Sequence, residues 1–259
     1  MILSSCDSYE DAWYPFCHQL VTYWPEFDMP IYLGTESKTF KYEGLNIMNP
    51  LSGGKIYRQW SERLLQLLKR IDSEFVLFML DDFWLTEKVD DSEFKRIFSY
   101  MEKDKSIGYI CLKQEVKDYS SATDKANAVD CEYPELWECK ANKSYRITTQ
   151  VGLWRKKYLI KLLRSHESAW FFETRATWRS KFYRERVFDV KKTVLTYPIG
   201  GFFGGGKCYS DYIDLYPKEI LEVPLKRGTI QFGATRTYPK DVKGIMYYWN
   251  LLKSISPKW

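Results

Sequence analysis

The order of apolar runs and amphipathic stripes predicts an α/β fold, with a mostly parallel central sheet flanked by helices and an irregular second half. Three observations carry this. Strand-length apolar runs alternate with helix-period stripes through residue 112. One of them, residues 75–80, is apolar throughout and so suits a strand covered on both faces. A chain of 259 residues, 45% of them hydrophobic, is also long enough to bury such a core.

Ile2 and Leu3 close a short first strand. Asp7 with Glu10 three residues on reads as a capping box, and Trp13, Phe16, Cys17, Leu20, Val21 and Trp24 follow on one helical face until Pro25 stops it. Pro15 inside this stretch implies a kink or a later start. Residues 30–33 form a second strand, which completes a βαβ unit. After the turn at Ser52, Gly53 and Gly54, a stripe of Trp60, Leu64, Leu67, Leu68 and Ile71 predicts the next helix, and 75–80 the next strand. Asp90, Asp91 and Ser92 then cap a helix that turns Phe94, Ile97, Phe98 and Met101 inward, ahead of a strand over 107–112.

The second half is less periodic. Residues 114–143 read as a long polar loop. A strand over 146–153, a helix over 156–163, a helix capped by Ser168 and a strand over 193–199 follow. Five of the 14 glycines then fall between Gly200 and Gly206, a tightly turning loop that ends at Lys207. Residues 229–232 suit an edge strand, and Val242, Ile245, Met246, Trp249 and Leu252 an amphipathic helix. Without a repeat or a linker, one domain over 1–259 is expected, with 1–112 as one functional half and 113–259 as the other.

Composition removes several classes of function. The 39 Lys+Arg against 34 Asp+Glu leave a charge of +5, a mild excess that argues against a nucleic-acid partner. Six apolar residues in a row cannot span a bilayer as a helix, which takes roughly 20. The N-terminus lacks both the basic flank and the apolar stretch of a secretory signal, so the expected location is cytoplasmic. Six irregularly spaced cysteines suit free thiols, with Cys131 and Cys139 as the one conceivable pair, and two histidines make a Cys/His zinc site improbable. Tyr, Phe and Trp reach 17% of the chain, so rings either fill the core or line a site.

In an open parallel sheet, ligands bind where loops and helix N-termini converge, at the carboxyl ends of the strands. Three polar clusters occupy such ends: Ser4, Ser5, Cys6 and Asp7; then Thr35, Glu36 and Ser37; then Asp81 and Asp82. Adjacent carboxylates at the mouth of a buried strand can hold a divalent cation beside a diphosphate. A bare Asp-Asp pair otherwise caps a helix or lines a solvated turn. The six apolar residues before this pair favour the functional role, with Phe83 and Trp84 as walls.

Leu80, Asp81, Asp82 and Phe83 at the end of a hydrophobic strand resemble the DxD-type motif of GT-A glycosyltransferases, in the Asp-Asp form found among family 2-like enzymes. The opening residues 4–13, with 23–25 and 30–35, resemble bacterial glycosyltransferases of capsule and lipopolysaccharide biosynthesis. The resemblance covers about the first 110 residues. It implies a GT-A (Rossmann-like) fold and a metal-assisted, inverting transfer of a sugar from a nucleoside-diphosphate donor (UDP, GDP or dTDP type) to a hydroxyl of a glycan or lipid-linked acceptor.

The same resemblance assigns residues. Asp82 would meet Mn²⁺ or Mg²⁺ and Asp81 the ribose or sugar, with Ser4, Ser5, Asp7 and Glu36 near the nucleoside. An inverting enzyme also needs a base at the start of a second-half helix. Glu173 fits, with Glu167 as the alternative, and flanking rings would raise Glu173 toward a base's useful range. Trp170 would stack on an acceptor sugar or fill the core, and Lys207 would sit on a lid over the donor phosphates or on a plain surface loop. The basic residues Arg155, Lys156, Lys157, Arg175, Arg179, Lys181, Arg184 and Arg186 suggest peripheral association with the inner face of a membrane. The competing classes are a non-catalytic carbohydrate-binding protein and a sugar nucleotidyltransferase. The latter normally needs a glycine-rich loop after strand one, where this chain has none.

Overall fold

The structure, a computed structural model of the chain, describes residues 1–113 and 127–233. The first strand, β1 (Ile2–Ser4), runs through a 3-10 segment (Asp7–Ala12) into α1 (Trp13–Tyr23). Pro15 is tolerated because it lies in the first turn of α1, where its missing N–H has no partner to lose. Thus the helix starts late rather than kinking. Next come β2 (Ile31–Gly34), a two-residue β3 (Ile47–Met48), α2 (Trp60–Leu68) and β4 (Phe75–Leu80). The predicted cap of α3 (Asp91–Lys103) is present, with Asp90 accepting from the Glu93 amide at 3.0 Å. The element β5 (Ile107–Cys111) follows.

The second half departs from its reading in four places. What reads as a long loop contains an antiparallel hairpin of β6 (Ala128–Asp130) and β7 (Leu136–Cys139). Its strands are three and four residues long, too short for a period-2 alternation to stand out. The strand expected over 146–153 is β8 (Gly152–Arg155), followed directly by α4 (Lys156–Leu162) and by α5 (Ala169–Ser180), on which Ser168 is the cap. The last long strand, β9, is Arg186–Val190, and 193–199 is irregular. The glycine-rich loop is a tight hairpin of β10 (Phe203–Gly204) and β11 (Lys207–Tyr209), with Gly205 and Gly206 at positive φ between them. A short α6 (Lys218–Leu221), a 3-10 turn (Pro224–Arg227) and β12 (Thr229–Ile230) complete the description. The expected helix over 242–252 lies outside the described residues. All six cysteines are free, so Cys131 and Cys139 do not pair.

Nine strands make one mixed sheet in the order β3-β2-β1-β4-β8-β5-β9-β7-β6. Strands β1 to β4 run parallel, as do β5 and β9, and β8 runs antiparallel between β4 and β5. Side chains alternate across it. Along β4, Leu77 and Met79 enter the layer that holds Trp13 and Phe16 of α1 and Ile97 and Met101 of α3, while Val76 and Phe78 face Leu64 of α2, Leu159 of α4 and Phe172 of α5. This strand is covered on both faces, as its unbroken apolar run implies.

Candidate functional site

Parallel pairing of Ser4 with Leu80 brings the ends of β1 and β4 side by side. The next residues meet. The Ser5 hydroxyl donates to the Asp81 carboxylate, and the Trp13 indole N–H donates to that same hydroxyl at 2.7 Å. The Trp84 indole closes the turn by donating to the Asp81 carbonyl at 2.8 Å. Asp81 is buried, 8% exposed, whereas Asp82 keeps part of its surface open to solvent.

The glycine-rich segment closes on Asp82. The Phe202 amide donates to the Asp82 carbonyl at 3.0 Å, and the Phe203 amide approaches the carboxylate at 3.5 Å. Gly201 has φ 81°, and a Cβ there would stand 2.1 Å from Asp82 Oδ2. Only glycine fits that approach. Phe202 stacks on Trp84 with centroids 4.2 Å apart, so the hairpin is anchored to the turn that carries both aspartates.

Burial pushes the Asp81 carboxyl up to about 7, against the Ser5 hydrogen bond and nearby Arg227, which pull the other way. Burial, and then the adjacent charge of Asp81, hold Asp82 well above the usual carboxylate range. Arg227 arrives from the far end of the described chain. It forks onto both carboxylate oxygens of Asp11 and lies over the Tyr9 ring at 4.4 Å and the Phe203 ring at 5.2 Å. Sequence reading missed it, since nothing in a lone Arg after a Pro-Leu-Lys stretch links it to Asp11.

The mouths of β1 and β2 form a closed cluster. Asp7 does not cap its own helix. Instead its carboxylate accepts from the Glu36, Ser37 and Lys38 amides, each at 3.1 Å, and from the Ser37 hydroxyl at 2.5 Å. Burial alone would raise this carboxyl, but the four bonds outweigh it and hold it low. Glu36 accepts from the Asp7 amide and from buried Arg63, both at 2.6 Å, and Arg63 also donates to the Ser5 carbonyl at 2.9 Å. Ser4 accepts from the Trp60 indole at 3.0 Å. Hence Asp7 and Glu36 meet each other and a buried arginine that the helical stripe of α2 did not single out.

The second-half carboxylates separate. Glu167 is fully buried, and Arg179 donates to both of its oxygens, at 2.7 and 2.6 Å, with Arg175 3.9 Å away. Those bonds leave it no free edge for an acceptor proton. Glu173, on α5, accepts through Oε1 from the Thr149 amide at 2.6 Å and hydroxyl at 2.7 Å, and burial raises its carboxyl above the ordinary value. Oε2 carries no hydrogen bond from the described residues. Thr149 precedes β8, and the Tyr197 hydroxyl ties Val151 and Gln150 there (3.1 and 2.6 Å) while its ring stacks on Phe83 at 4.2 Å. A continuous chain of contacts thus runs from the aspartate turn to the strand of chain that holds Glu173. Trp170 is 67% exposed on α5, and Lys207 is exposed at the start of β11.

Among the described residues no group of three His, Cys, Asp or Glu side chains is arranged to hold a metal. The protein would offer a cation at most the adjacent carboxylates of Asp81 and Asp82. That set suits a hard ion that takes its other ligands from water and phosphate oxygens.

No protein-family model and no curated protein matches the chain. Among solved structures, it is similar to S. aureus TarS, with 12% identity and a TM-score of 0.48 over 76% of this chain and 58% of that one. It is also similar to an active-site mutant of LgtC, with 13% identity and a TM-score of 0.37 over 98% of this chain and 94% of that one. The chain therefore spans less than two thirds of the TarS chain. These are loose overlaps of general architecture, and the reading of the site rests on the chain's own geometry.

Proposed function

We propose that this chain is a GT-A-like glycosyltransferase that moves a sugar from a nucleoside-diphosphate donor to a hydroxyl of a glycan or lipid-linked acceptor. One observation carries it: adjacent aspartates at the carboxyl end of a central strand, both displaced toward neutrality by burial, one of them still reachable from solvent. A structural pair would carry its compensation with it, as Glu167 does. This pair carries no such partner, and a cation bound here would favour its ionised form.

In this reading Asp82 holds Mn²⁺ or Mg²⁺, and Asp81, fixed by Ser5 and Trp13, faces a sugar or ribose hydroxyl. When bound, the metal supplies positive charge to the departing diphosphate. Asp7, Glu36 and Arg63 shape the nucleoside end of the crevice, since their mutual bonds hold two loops in register. Glu173 Oε2 takes the acceptor proton, while Thr149 fixes Oε1 and so aims the other oxygen. Attack opposite the leaving group inverts the anomeric centre. A capsule- or lipopolysaccharide-type acceptor belongs to the same proposal.

The test is a titration with UDP, GDP and dTDP in the presence and absence of Mn²⁺, paired with Asp82→Ala. Metal-dependent binding that the variant loses while its unfolding midpoint stays put supports the proposal. Glycan binding with no nucleotide binding would replace it with a carbohydrate-binding protein, and near-normal transfer by the variant would remove Asp82 from the site.

A further inference from the structure

The helix α5 carries rings on both of its faces. Phe172 and Ala176 point into the core, while Trp170, Phe171 and Trp178 are 67%, 38% and 41% exposed, and Phe182, in the turn just beyond, is 68% exposed. Large rings left together in solvent mark a surface that is ordinarily covered. Trp170, Thr174 and Trp178 succeed one another at four-residue spacing, a single line of about 12 Å along the helix at 1.5 Å per residue. Phe182 extends it, packed edge-on against Trp178 with centroids 4.7 Å apart.

The charges on this face are all of one sign. Lys181 and Arg184 are exposed beside the rings, and Arg175 lies over Phe171 at 4.3 Å. The neighbouring carboxylates are turned away or taken: Glu173 toward Thr149, Glu167 into its buried pair with Arg179, Glu185 onto Lys161. Exposed tryptophan and phenylalanine bordered by cations, with no outward carboxylate among the described residues of this face, match the apolar and anionic layers of a phospholipid surface. A saccharide needs one or two stacking rings; this row is longer and has no polar side chains between its rings other than Thr174.

We propose that the outward face of α5 docks the protein onto an anionic lipid bilayer. Trp170, Trp178 and Phe182 enter the headgroup region, and Lys181 and Arg184 meet lipid phosphates. The docking itself stands on the exposed face alone; only its use rests on the function proposed above. Because Glu173 projects from the same helix, docking would hold the acceptor side of the site at the membrane, which favours a lipid-linked acceptor over a soluble one.

Co-sedimentation of the full chain with vesicles tests this. Vesicles of phosphatidylcholine with 30% phosphatidylglycerol should carry down at least ten times more protein than phosphatidylcholine alone, with the difference shrinking at high salt. Trp178→Ser with Phe182→Ser, and separately Lys181→Glu with Arg184→Glu, should each reduce binding tenfold or more while nucleotide binding and the unfolding midpoint stay at wild-type values. No preference for anionic vesicles, or a preference that both double variants retain, overturns the proposal and leaves the transferase reading standing. So does binding of a soluble glycan that Trp178→Ser with Phe182→Ser abolishes, or a dimer in solution that this variant dissociates, since either assigns the face to another occupant. Loss of nucleotide binding in wild type would instead count against the transferase and leave the docking face untouched.

Discussion

Buried and half-buried carboxylates occur in two kinds of setting in this molecule. Glu167 and the Asp7–Glu36–Arg63 cluster are closed: every charge there meets a guanidinium or several N–H donors. Asp81 and Asp82 are open: they share a desolvated turn, receive one hydroxyl and a distant amide between them, and drift toward the neutral form. The difference is one of completeness. Where compensation is internal, a charge can stay in the fold; where it is not, burial shifts the carboxyl toward its neutral form.

The strongest way to break the comparison is at its closed end. Arg179→Ala takes both close hydrogen bonds from buried Glu167, leaving only Arg175 3.9 Å away, and should cost about 3–5 kcal/mol of stability, measured by denaturant unfolding. A change within half a kcal/mol would mean that the pair is not the compensated one. At the open end the sign reverses. Asp82→Asn removes a desolvated charge and should leave the unfolding midpoint unchanged or raise stability by about 1 kcal/mol, while metal-dependent turnover falls about 10²–10³-fold.

Gly201→Ala sharpens the picture of the open end. Its Cβ would collide with Asp82 from a backbone conformation that alanine resists, so a loss of about 1–3 kcal/mol is expected, together with weaker nucleotide binding. Calorimetric melting and a nucleotide titration of the same sample check both. The smallest effect on stability belongs to Glu173. Its carboxyl is raised in the folded state, so the stability it contributes is present below the ordinary carboxylate range and is lost as pH rises through its raised value. Glu173→Gln should flatten that part of the stability profile and gain a few tenths of a kcal/mol near pH 7. As the base, it should also remove the rising limb of the pH–rate curve and lower turnover about 10²–10⁴-fold; an unchanged curve would take Glu173 out of the mechanism.

What the sequence made legible follows its periodicity. The run at 75–80 and the stripe at Trp60, Leu64, Leu67, Leu68 and Ile71 lie in the middle of the packing, where burial on fixed faces imposes a pattern; the strand matches its run end to end, and the helix starts at Trp60 but stops at Leu68, before the last residue of its stripe. Strand β9 escaped because Arg186 and Asp189 interrupt it with charges that ion pairs absorb, Asp189 with Lys143 at 2.8 Å and Arg186 with Glu138 at 2.6 Å. The site shows the same division. The juxtaposition of Asp81 with the first strand's end follows from βαβ logic, and Ser5 meets Asp81 there through its hydroxyl. Asp7 instead binds a loop 29 to 31 residues away, and the approach of Gly201 and Arg227 to the aspartate turn depends on long-range closure that no local pattern encodes.

The antiparallel strand β8 has a consequence for how the chain reaches this state. It lies between β4 and β5, pairing Phe75 with Arg155, so the two longest strands of the first half stay apart until residues about 80 positions later arrive. A chain released or halted near residue 112 would carry two long apolar strands with bare hydrogen-bonding edges, a template for aggregation rather than a folded half-protein. High contact order of this kind makes folding slow, and it ties the assembly of the aspartate turn to completion of the sheet on the opposite side of β4.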